Sequence, residues 1–437
     1  MSMEQLNAMN GRLCSCGKIH SFDAKILSGS GVIKRIPEFV AEFGAKKVFI
    51  LSDQNTFAAA GAQVCGILKD SDIPYLSYSF PGDALEPDEK SVGSAIMHYD
   101  ANCDLIIGVG SGVINDIGKI LSAVSGKPYF IVGTAPSMDG YASATSSMTR
   151  DGLKISLPSR GADVIIGDTD ILRNAPLKMM KAGLGDMLAK YVSICEWRMA
   201  KIIAGEYYCE EIADLIRGAV ERCVDNAEGL LRREEAAVQA VFEGLVIGGV
   251  AMNYAGLSRP ASGVEHYISH VLDMRGAEFG TPVELHGIQC AVGTHIAVQM
   301  YEKLKAISPE KKKALEAVQT FDYENWSGEL RKLLGKGAES MIALEAKERK
   351  YDLEAHEKRL EIILRNWDEI LKIMEEELPA FTQLDALLDR MDMPKTLAEI
   401  GTADEMLDVI FRATKDIRDK YVLSRLAWDL GILDELL

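Results

Sequence analysis

One stretch constrains the fold more than any other: GVGSGVINDIGKILSAVSGKPYFIVGTAPSMDGYAS, residues 108–143. An apolar run leads into Gly108, Gly110 and Gly112, and a helix-like segment follows. A second apolar run then ends in a polar loop at 134–141. Glycines at such a turn let backbone N–H groups approach a diphosphate, and the next helix adds the positive end of its dipole. Both loops are predicted at the edge where open α/β sheets bind ligands.

Short apolar runs alternate with helical stretches through the first part of the chain. The pattern predicts strands at 48–51, 75–80, 105–109, 129–132 and 164–167, and helices at 54–68 and 88–99. Such alternation is typical of a parallel sheet with helices on both faces. Alternating polar residues around Asp151-Gly152 predict a β-hairpin. Beyond about residue 170 only helical spacing remains, at 178–204, 210–231, 234–253, 287–305 and 309–378.

The predicted fold class is therefore α/β followed by all-α. We expect a Rossmann-like, parallel-sheet NAD(P)-binding domain at 1–170 and an all-helical metal- and substrate-binding domain at 171–437. A chain of 437 residues is too long for one hydrophobic core, which agrees with two domains. The charge runs within 309–378 are interpreted as a solvated helix face.

Composition excludes several classes of partner. The net charge of −17 argues against nucleic acid and anionic membranes, because both would repel the chain. We see no signal peptide and no apolar run of about 18 residues, so we expect a cytoplasmic protein without a membrane span. The eight cysteines are then expected to be reduced.

The segment CSCGKIH places Cys14, Cys16 and His20 close together in the sequence. These are zinc-ligand residue types, but a structural zinc needs four ligands and only three lie here. We interpret the segment as an N-terminal turn, with zinc as the alternative.

The glycine turn alone is weak evidence for a nucleotide site. Its third glycine comes one residue earlier than in G-x-G-x-x-G, and the turn follows a later strand rather than the first. Asp53 follows the strand at 48–51 and is placed to accept hydrogen bonds from an adenosine ribose. A helix N-cap is the alternative interpretation of Asp53.

Histidines cluster in one region, since four of the seven fall between residues 266 and 295. His266 and His270 are spaced i, i+4 on one helix face, and His286 begins a later helix. Asp186 lies near the start of another predicted helix. One carboxylate and two imidazoles would leave a coordination position open, as catalytic zinc sites do. Buried core histidines and a capping aspartate remain an equal alternative on spacing alone.

Taken together, these motifs resemble the iron-containing (group III) alcohol dehydrogenase superfamily, which includes glycerol dehydrogenase and dehydroquinate synthase. The blocks that carry the resemblance are GVGSGVINDIGK, TAPSMDGYAS, GLGDMLAKY, SRPASGVEHYISH, ELHG and IRDKYVLSRLAWDLGIL. Within the superfamily the chain is most similar to the sn-glycerol-1-phosphate dehydrogenases, from about residue 25 to the end. It departs from the synthases in lacking their Asn-x-Gly-His-Thr-x-Gly-His block.

The resemblance implies a set of site residues. It implies a divalent metal at Asp186, His266 and His286. It implies NAD(P) contacts at Asp53, Gly108, Gly110, Ser111, Gly112 and Asp116, and a loop beside the nicotinamide at Thr134, Ser137 and Ser143. It places Asp139 beside the substrate as a catalytic residue. His270 would either relay a proton or position a ligand, and both roles stay open.

Phosphate recognition separates the branches of the superfamily. Arg259 lies seven residues before His266, as a phosphate-binding arginine does in the similar dehydroquinate synthases. Lys154 is a second candidate cation. The alternative for Arg259 is a surface salt bridge, whereas a guanidinium bound to a phosphate dianion would contribute about 1.5–3 kcal/mol.

The resemblance implies reversible, NAD(P)H-dependent reduction of dihydroxyacetone phosphate to sn-glycerol 1-phosphate. Three alternatives remain: a glycerol or polyol dehydrogenase, a dehydroquinate-synthase-like lyase, and an NAD-binding regulator without activity. Asp53 favours NAD, because a carboxylate repels the 2′-phosphate of NADP. Zinc is the metal we expect, with nickel or iron as alternatives. The resemblance also implies a homo-oligomer and a small phosphorylated triose as the substrate.

Overall fold

The computed structural model describes residues 3–82, 84–150 and 153–437, without the side chains of residues 153 and 154. The strands are β1 (Lys25–Gly29), β2 (Val48–Asp53), β3 (Tyr75–Phe80), β4 (Leu105–Gly110), β5 (Tyr129–Gly133), β6 (Thr145–Arg150), β7 (Leu153–Pro158) and β8 (Val164–Asp168). Six of them form one parallel sheet in the order β1-β8-β5-β4-β2-β3. The other two, β6 and β7, pair as an antiparallel hairpin. The predicted turn at Asp151-Gly152 lies outside the described residues.

The five predicted strands of the parallel sheet are confirmed, and the sheet has one more. The additional strand, β1, lies at an edge and pairs only with β8 among the described strands. It is short and only Leu27 in it is buried. No continuous apolar run therefore marks it in the sequence, in contrast to β4, whose six residues are all buried.

Helices account for most of the remaining chain. Up to residue 255 they are α1 (Met3–Met9), α2 (Ile36–Glu42), α3 (Gln54–Thr56), α4 (Ala62–Asp70), α5 (Glu89–His98), α6 (Gly112–Ser125), α7 (Thr169–Leu172), α8 (Leu177–Leu188), α9 (Lys190–Ile203), α10 (Glu210–Asp225), α11 (Ala227–Leu231) and α12 (Glu235–Ala255). A π-helical turn, Phe57–Gly61, joins α3 to α4, so the helix predicted at 54–68 is continuous. The predicted helix at 178–204 is instead divided into α8 and α9 at Ala189.

The later helices follow without a strand in the described part of the chain. They are α13 (Val264–Phe279), α14 (His286–Lys305), α15 (Lys311–Gln319), α16 (Tyr323–Leu334), α17 (Ala338–Glu348), α18 (Leu353–Arg365), α19 (Trp367–Glu377), α20 (Phe381–Arg390), α21 (Leu407–Thr414), α22 (Leu423–Asp429) and α23 (Leu433–Leu436). The charged stretch predicted to be helical at 309–378 is confirmed as five helices, α15 to α19. The change from an α/β to an all-helical chain after about residue 170 is confirmed.

The chain divides into two compact units that are discontinuous in sequence. The first contains Met1–Met187 and Asp214–Leu257, and the second contains Leu188–Ala213 and Ser258–Leu437. The first unit thus holds the whole sheet together with α12. The domain boundary predicted at 170/171 stays a prediction.

The core of the first unit is built on both faces of the sheet. Alternate side chains of β2, such as Val48 and Ile50, join one continuous buried cluster with residues of β4, β5 and β8. On α12, Phe242 is fully buried and packs against Gly167 of β8. In the described chain, α12 is long and apolar enough to span a membrane, but 78% of its apolar window is buried in the protein. Its contacts are those of a core helix.

The second unit is helical and is centred on α13 and α14, which pack against each other. Both helices are buried along much of their length. Trp197 of α9 and Tyr301 of α14 are among the largest fully buried side chains of this unit. The two helices carry all three histidines of the predicted site, so their packing determines how those imidazoles lie.

Candidate active site

A cavity of about 860 Å³ lies within the first unit, where the carboxyl ends of the parallel strands meet. Asp53 at the end of β2, Ser111 after β4 and Thr134 after β5 line it. Three predicted cofactor residues are thus brought together at the sheet edge that binds ligands in open α/β folds. The volume is in the range of about 300–1,000 Å³ found for cofactor and ligand sites.

Two of the three predicted glycines are required by packing. A Cβ atom at Gly108 would lie 2.4 Å from the Tyr129 hydroxyl oxygen, and one at Gly110 would lie 2.6 Å from the Ile114 side chain. At Gly112 the nearest side-chain atom is 3.5 Å away, so this residue is not forced by sterics. Gly112 begins α6, and the preceding Ser111 does not cap that helix with its side chain. The first-turn amides of α6 therefore keep their capacity to bind an anion.

Asp53 caps a helix, which is the alternative interpretation given to it above. Its Oδ1 accepts a hydrogen bond from the Thr56 amide at 2.8 Å, and its own amide donates to Thr56 Oγ1 at 3.0 Å. These two bonds form a capping box at the start of α3. The helix N-cap is therefore observed. Asp53 also lines the cavity, and its contact with the ribose stays a prediction.

Asp116 and Ser143 lie in a network around Lys119, a residue that sequence reasoning missed. The Lys119 ammonium is fully buried and lies 2.9 Å from Asp116 Oδ1. It donates to Ser143 Oγ at 3.3 Å and also to the carbonyl of Thr145. Ser143 Oγ donates in turn to the Gly140 carbonyl at 3.3 Å. This network holds the loop between β5 and β6. In the sequence, only the i, i+3 spacing of Asp116 and Lys119 on one helix face indicated such a network.

The same loop is held close to α8. A Cβ atom at Gly183 would lie 1.9 Å from the Pro136 carbonyl oxygen, so only glycine permits this approach. Three residues further along α8, buried Asp186 accepts a hydrogen bond from the Asp139 amide at 2.9 Å. The structure therefore brings together two predicted site residues, the expected substrate neighbour Asp139 and the expected metal ligand Asp186. Ser137 lies in this loop and is 8% exposed.

The imidazoles of the second unit form a compact cluster. The ring centroids of His266 on α13 and His286 at the start of α14 are 5.1 Å apart. Cys290, one turn beyond His286, has its sulfur 3.6 Å from His286 Nε2. The ligand atoms of these three residues all lie within 4.8 Å of one another. Cys290 was missed from the sequence, although its i, i+4 spacing from His286 was a usable signal.

Each of the two imidazoles has a second partner that fixes its orientation. His266 Nδ1 lies 2.8 Å from Glu265 Oε1, and His286 Nδ1 lies 3.2 Å from Ser269 Oγ. With Nδ1 engaged in this way, Nε2 is the atom that each ring would offer to a metal ion. Such outer partners are typical of metal-ligating histidines, so the residues fit a divalent ion.

The charges around the cluster shift two pKa values. Burial would raise the pKa of the Cys290 thiol, but the nearby His266 and His286 lower it overall. Burial, followed by the negative charge of Glu265, raises the pKa of Glu196 to about 8. The surroundings of the cluster therefore favour a neutral Glu196 and lower the pKa of the Cys290 thiol below its ordinary value.

His270, predicted as a catalytic residue, lies at the edge of the same cluster. Its ring centroid is 6.5 Å from that of His266 and 6.4 Å from that of His286. It is partly exposed, whereas His266 is buried. This position is compatible with both roles left open for His270.

The guanidinium of Arg259 is engaged within the protein. Its Nε donates to Glu206 Oε2 at 2.7 Å, Nη2 donates to the other Glu206 oxygen, and Nη1 donates to the Tyr421 carbonyl at 2.8 Å. Arg259 is 2% exposed, so this is a buried ion pair rather than the surface salt bridge considered above. The side chain of Lys154 lies outside the described atoms.

Lys420 lies beside Arg259 and was not predicted as a site residue. Its ammonium donates to the Ser262 carbonyl at 2.8 Å. Burial, and then the positive charge of Arg259, lower the pKa of Lys420 to about 7. The IRDKY block supplied a sequence signal, but not the depth of burial.

Comparison with known proteins relates the chain to the iron-containing alcohol dehydrogenases in sequence and in fold. Residues 27–176 match the family described as iron-containing alcohol dehydrogenase. The fold is similar to that of glycerol dehydrogenase from Schizosaccharomyces pombe, with a TM-score of 0.62, 17% identity and coverage of 96% of this chain and 91% of that one. Parallel sheet, helical second half and histidine cluster together define an alcohol dehydrogenase of the iron-containing class.

Two relatives in sequence define the family more narrowly. The chain is 31% identical over 316 residues to an NAD(P)+ glycerol-1-phosphate dehydrogenase of Halalkalibacterium halodurans, covering 71% of this chain and 77% of that one. It is 33% identical over 278 residues to the enzyme of the same name from Methanothrix thermoacetophila, covering 63% and 77%. The chain belongs to the glycerol-1-phosphate dehydrogenase family.

Proposed function

We propose that this protein catalyses the reversible, NAD(P)H-dependent reduction of dihydroxyacetone phosphate to sn-glycerol 1-phosphate with the aid of a divalent metal. The observation that carries this proposal is the cluster of His266, His286 and Cys290, whose ligand atoms lie within 4.8 Å of one another and whose imidazoles each have an outer partner at Nδ1. Relatives named glycerol-1-phosphate dehydrogenase supply the substrate class.

We assign Asp186, His266 and His286 as the metal ligands, as the family resemblance implies. Buried Asp186 and the two imidazoles are hard and borderline donors, which suit zinc, nickel and iron alike, and we propose zinc. A divalent ion at these residues supplies a Lewis acid that polarises the substrate carbonyl. Glu265 and Ser269 hold the rings in orientation, and Cys290 adds a soft donor beside them.

The first unit binds the cofactor in this proposal. Amides at the start of α6 and beside Gly110 receive the diphosphate, and Asp53 receives the ribose. Ser111 and Thr134 line the same cavity, with Thr134 donating its amide to the Gly110 carbonyl at 3.0 Å, and we assign Gly108 and Ser137 to the cofactor on the family resemblance. Asp116 and Ser143 act through Lys119 to hold the nicotinamide loop rather than as direct contacts.

On the substrate side, we assign Asp139 and His270 to the reacting end and Arg259, Lys420 and Lys154 to the phosphate. Asp139 is held by its backbone to Asp186, so its position follows that of the ligand. His270 is partly exposed and is suited to pass a proton to solvent. A phosphate dianion near Lys420 would favour the charged form of that lysine.

One observation favours an unphosphorylated substrate such as dihydroxyacetone. Glu206 already neutralises Arg259 through two hydrogen bonds, and a phosphate would have to share or replace them. A glycerol or polyol dehydrogenase is therefore the second candidate. A cytoplasmic location and a homo-oligomer are part of the proposal on the family resemblance alone.

The test is NADH oxidation at 340 nm by metal-reconstituted protein, with dihydroxyacetone phosphate and dihydroxyacetone compared at equal concentration. Turnover with the phosphate alone supports the proposal, and Arg259→Ala should then raise the KM for that substrate by at least tenfold. Preference for dihydroxyacetone, with little effect of Arg259→Ala, would establish the second candidate. A net absorbance change also separates both from a lyase that reoxidises its own NADH within one turnover.

A further inference from the structure

Three metal-binding side chains lie together in the N-terminal segment, away from any role assigned above. The ligand atoms of Cys14, Cys16 and His20 all lie within 4.8 Å of one another. Cys16 Sγ is 3.4 Å from His20 Nε2. Cys14 and His20 are buried, at 5% and 2% exposure, and Cys16 is partly exposed. Sulfur and imidazole nitrogen are the donors that structural zinc sites use.

The backbone of this segment is folded so that the three donors meet. Leu13 and Ile19 form an antiparallel bridge, and the Cys14 amide donates to the Lys18 carbonyl at 2.8 Å. Gly17 closes the turn with its amide donating to the Cys14 carbonyl at 2.9 Å, at a φ of 83° that favours glycine. Such a tight turn between ligands is typical of zinc-binding loops.

The imidazole of His20 is oriented by a second partner. His20 Nδ1 lies 2.9 Å from the Tyr254 carbonyl oxygen, near the end of α12 in the same unit. A carbonyl only accepts, so Nδ1 carries the proton and Nε2 keeps its lone pair on the side of Cys16. This is the arrangement found around metal-ligating histidines, and it needs no assumption about the catalytic site.

Three protein ligands leave one position of a tetrahedral ion for a water molecule. Cys16 is partly exposed, so solvent reaches this side of the cluster.

We propose that Cys14, Cys16 and His20 bind a zinc ion, distinct from the catalytic metal, with water in the fourth position. On binding, the two thiols lose their protons to solvent, two Zn–S bonds and one Zn–N bond form, and nothing is oxidised or reduced. The ion would fasten the N-terminal segment, which already contacts α12 where Tyr254 Oη donates to the Leu6 carbonyl at 3.4 Å.

The experiment measures zinc in the full-length protein by mass spectrometry and replaces it with Co²⁺ for spectroscopy. We use a His266→Ala, His286→Ala background, which lacks the catalytic metal. This background should retain one zinc per chain, and its Co²⁺ form should show the intense visible and near-ultraviolet bands of tetrahedral thiolate coordination. A background protein without bound zinc and without these bands would overturn the proposal.

Single substitutions then test each ligand. Cys14→Ser, Cys16→Ser and His20→Gln should each remove the zinc or weaken its binding at least tenfold and alter the Co²⁺ bands. Cys65→Ser is the matched control, because Cys65 is a partly buried thiol on α4 in the first unit. Unaltered bands in Cys16→Ser would refute the site itself.

Discussion

The hydrogen bond between His286 and Ser269 offers the sharpest test of the metal site. Ser269 is fully buried on α13, and its Oγ lies 3.2 Å from His286 Nδ1. The substitution Ser269→Ala removes this partner and nothing else from the imidazole. Gln289, which donates to the same Oγ at 2.9 Å, keeps a second acceptor in Asp273 Oδ1 at 3.0 Å. The fold should therefore survive.

The size of the effect follows from the length of the bond. Loss of an outer partner of a metal-binding histidine typically costs 10- to 100-fold in metal affinity. The 3.2 Å separation is long for a hydrogen bond, so we expect the lower end of that range. A tenfold weaker affinity corresponds to about 1.4 kcal/mol. Turnover at saturating metal should remain within about twofold of the wild-type rate, because the ligand itself is retained.

The assay is competition for Zn²⁺ against a chromophoric chelator, with activity recorded as a function of free metal. Ser193→Ala is the matched control: Ser193 is equally buried, and its Oγ donates to the Pro260 carbonyl at 3.1 Å, not to an imidazole. The control should lose stability, by about 1 kcal/mol, but not metal affinity. If Ser269→Ala binds zinc as tightly as wild type, Ser269 does not orient His286 and the ligand assignment loses its main support.

Three further predictions concern other parts of the molecule. Gly183→Ala places a methyl group 1.9 Å from the Pro136 carbonyl oxygen. We therefore expect the free energy of unfolding, measured in urea, to fall by about 3 kcal/mol or more, and cofactor binding to weaken. Gly93→Ala, on an open face of α5, is the control and should be neutral or stabilising. Asp53→Asn keeps an oxygen for the N-cap, so thermal stability should hold while the KM for NADH rises; an unchanged KM would remove Asp53 from the ribose site. The pKa of Lys420 is lowered to about 7 in the folded protein, so above that pH the unfolded chain binds more protons than the folded one. Between pH 7 and 9 the wild type should therefore gain stability relative to Lys420→Met, by about 1.4 kcal/mol per pH unit. A stability difference that does not change with pH would contradict the lowered pKa.

The fold could be predicted largely from local sequence patterns such as apolar runs, glycine spacing and helical periodicity. The turn at Gly108–Gly112 could be located because an apolar strand, closely spaced glycines and an amphipathic helix follow one another within a short stretch, and β4 begins and ends near the predicted residues. The edge strand β1 could not be located, since it is short, buries only Leu27 and carries no apolar run. The other edge strand, β3, also buries only one residue, Phe80, but its aromatic composition marked it as a strand.

Only part of the candidate site could be predicted from the sequence, because the hydrogen-bond partners of its residues are determined by packing. Sequence motifs indicated His266 and His286, but not that Ser269 and Glu265 would engage their Nδ1 atoms. Arg259 could be recognised as important, but its pairing with Glu206 joins residues 53 positions apart and depends on packing. Pairings of this kind have no short-range pattern from which to be predicted.

The burial of α12 has a consequence for how the chain is made. A segment of 21 largely apolar residues would be a hazard if it emerged from the ribosome before its partners, since cellular targeting factors bind such segments. Here every strand of the sheet that α12 covers precedes it in the chain, ending with β8 at Asp168. Phe242 can therefore reach Gly167 as soon as it is synthesised. The order of the elements along the chain gives this long apolar helix a surface to dock on during translation.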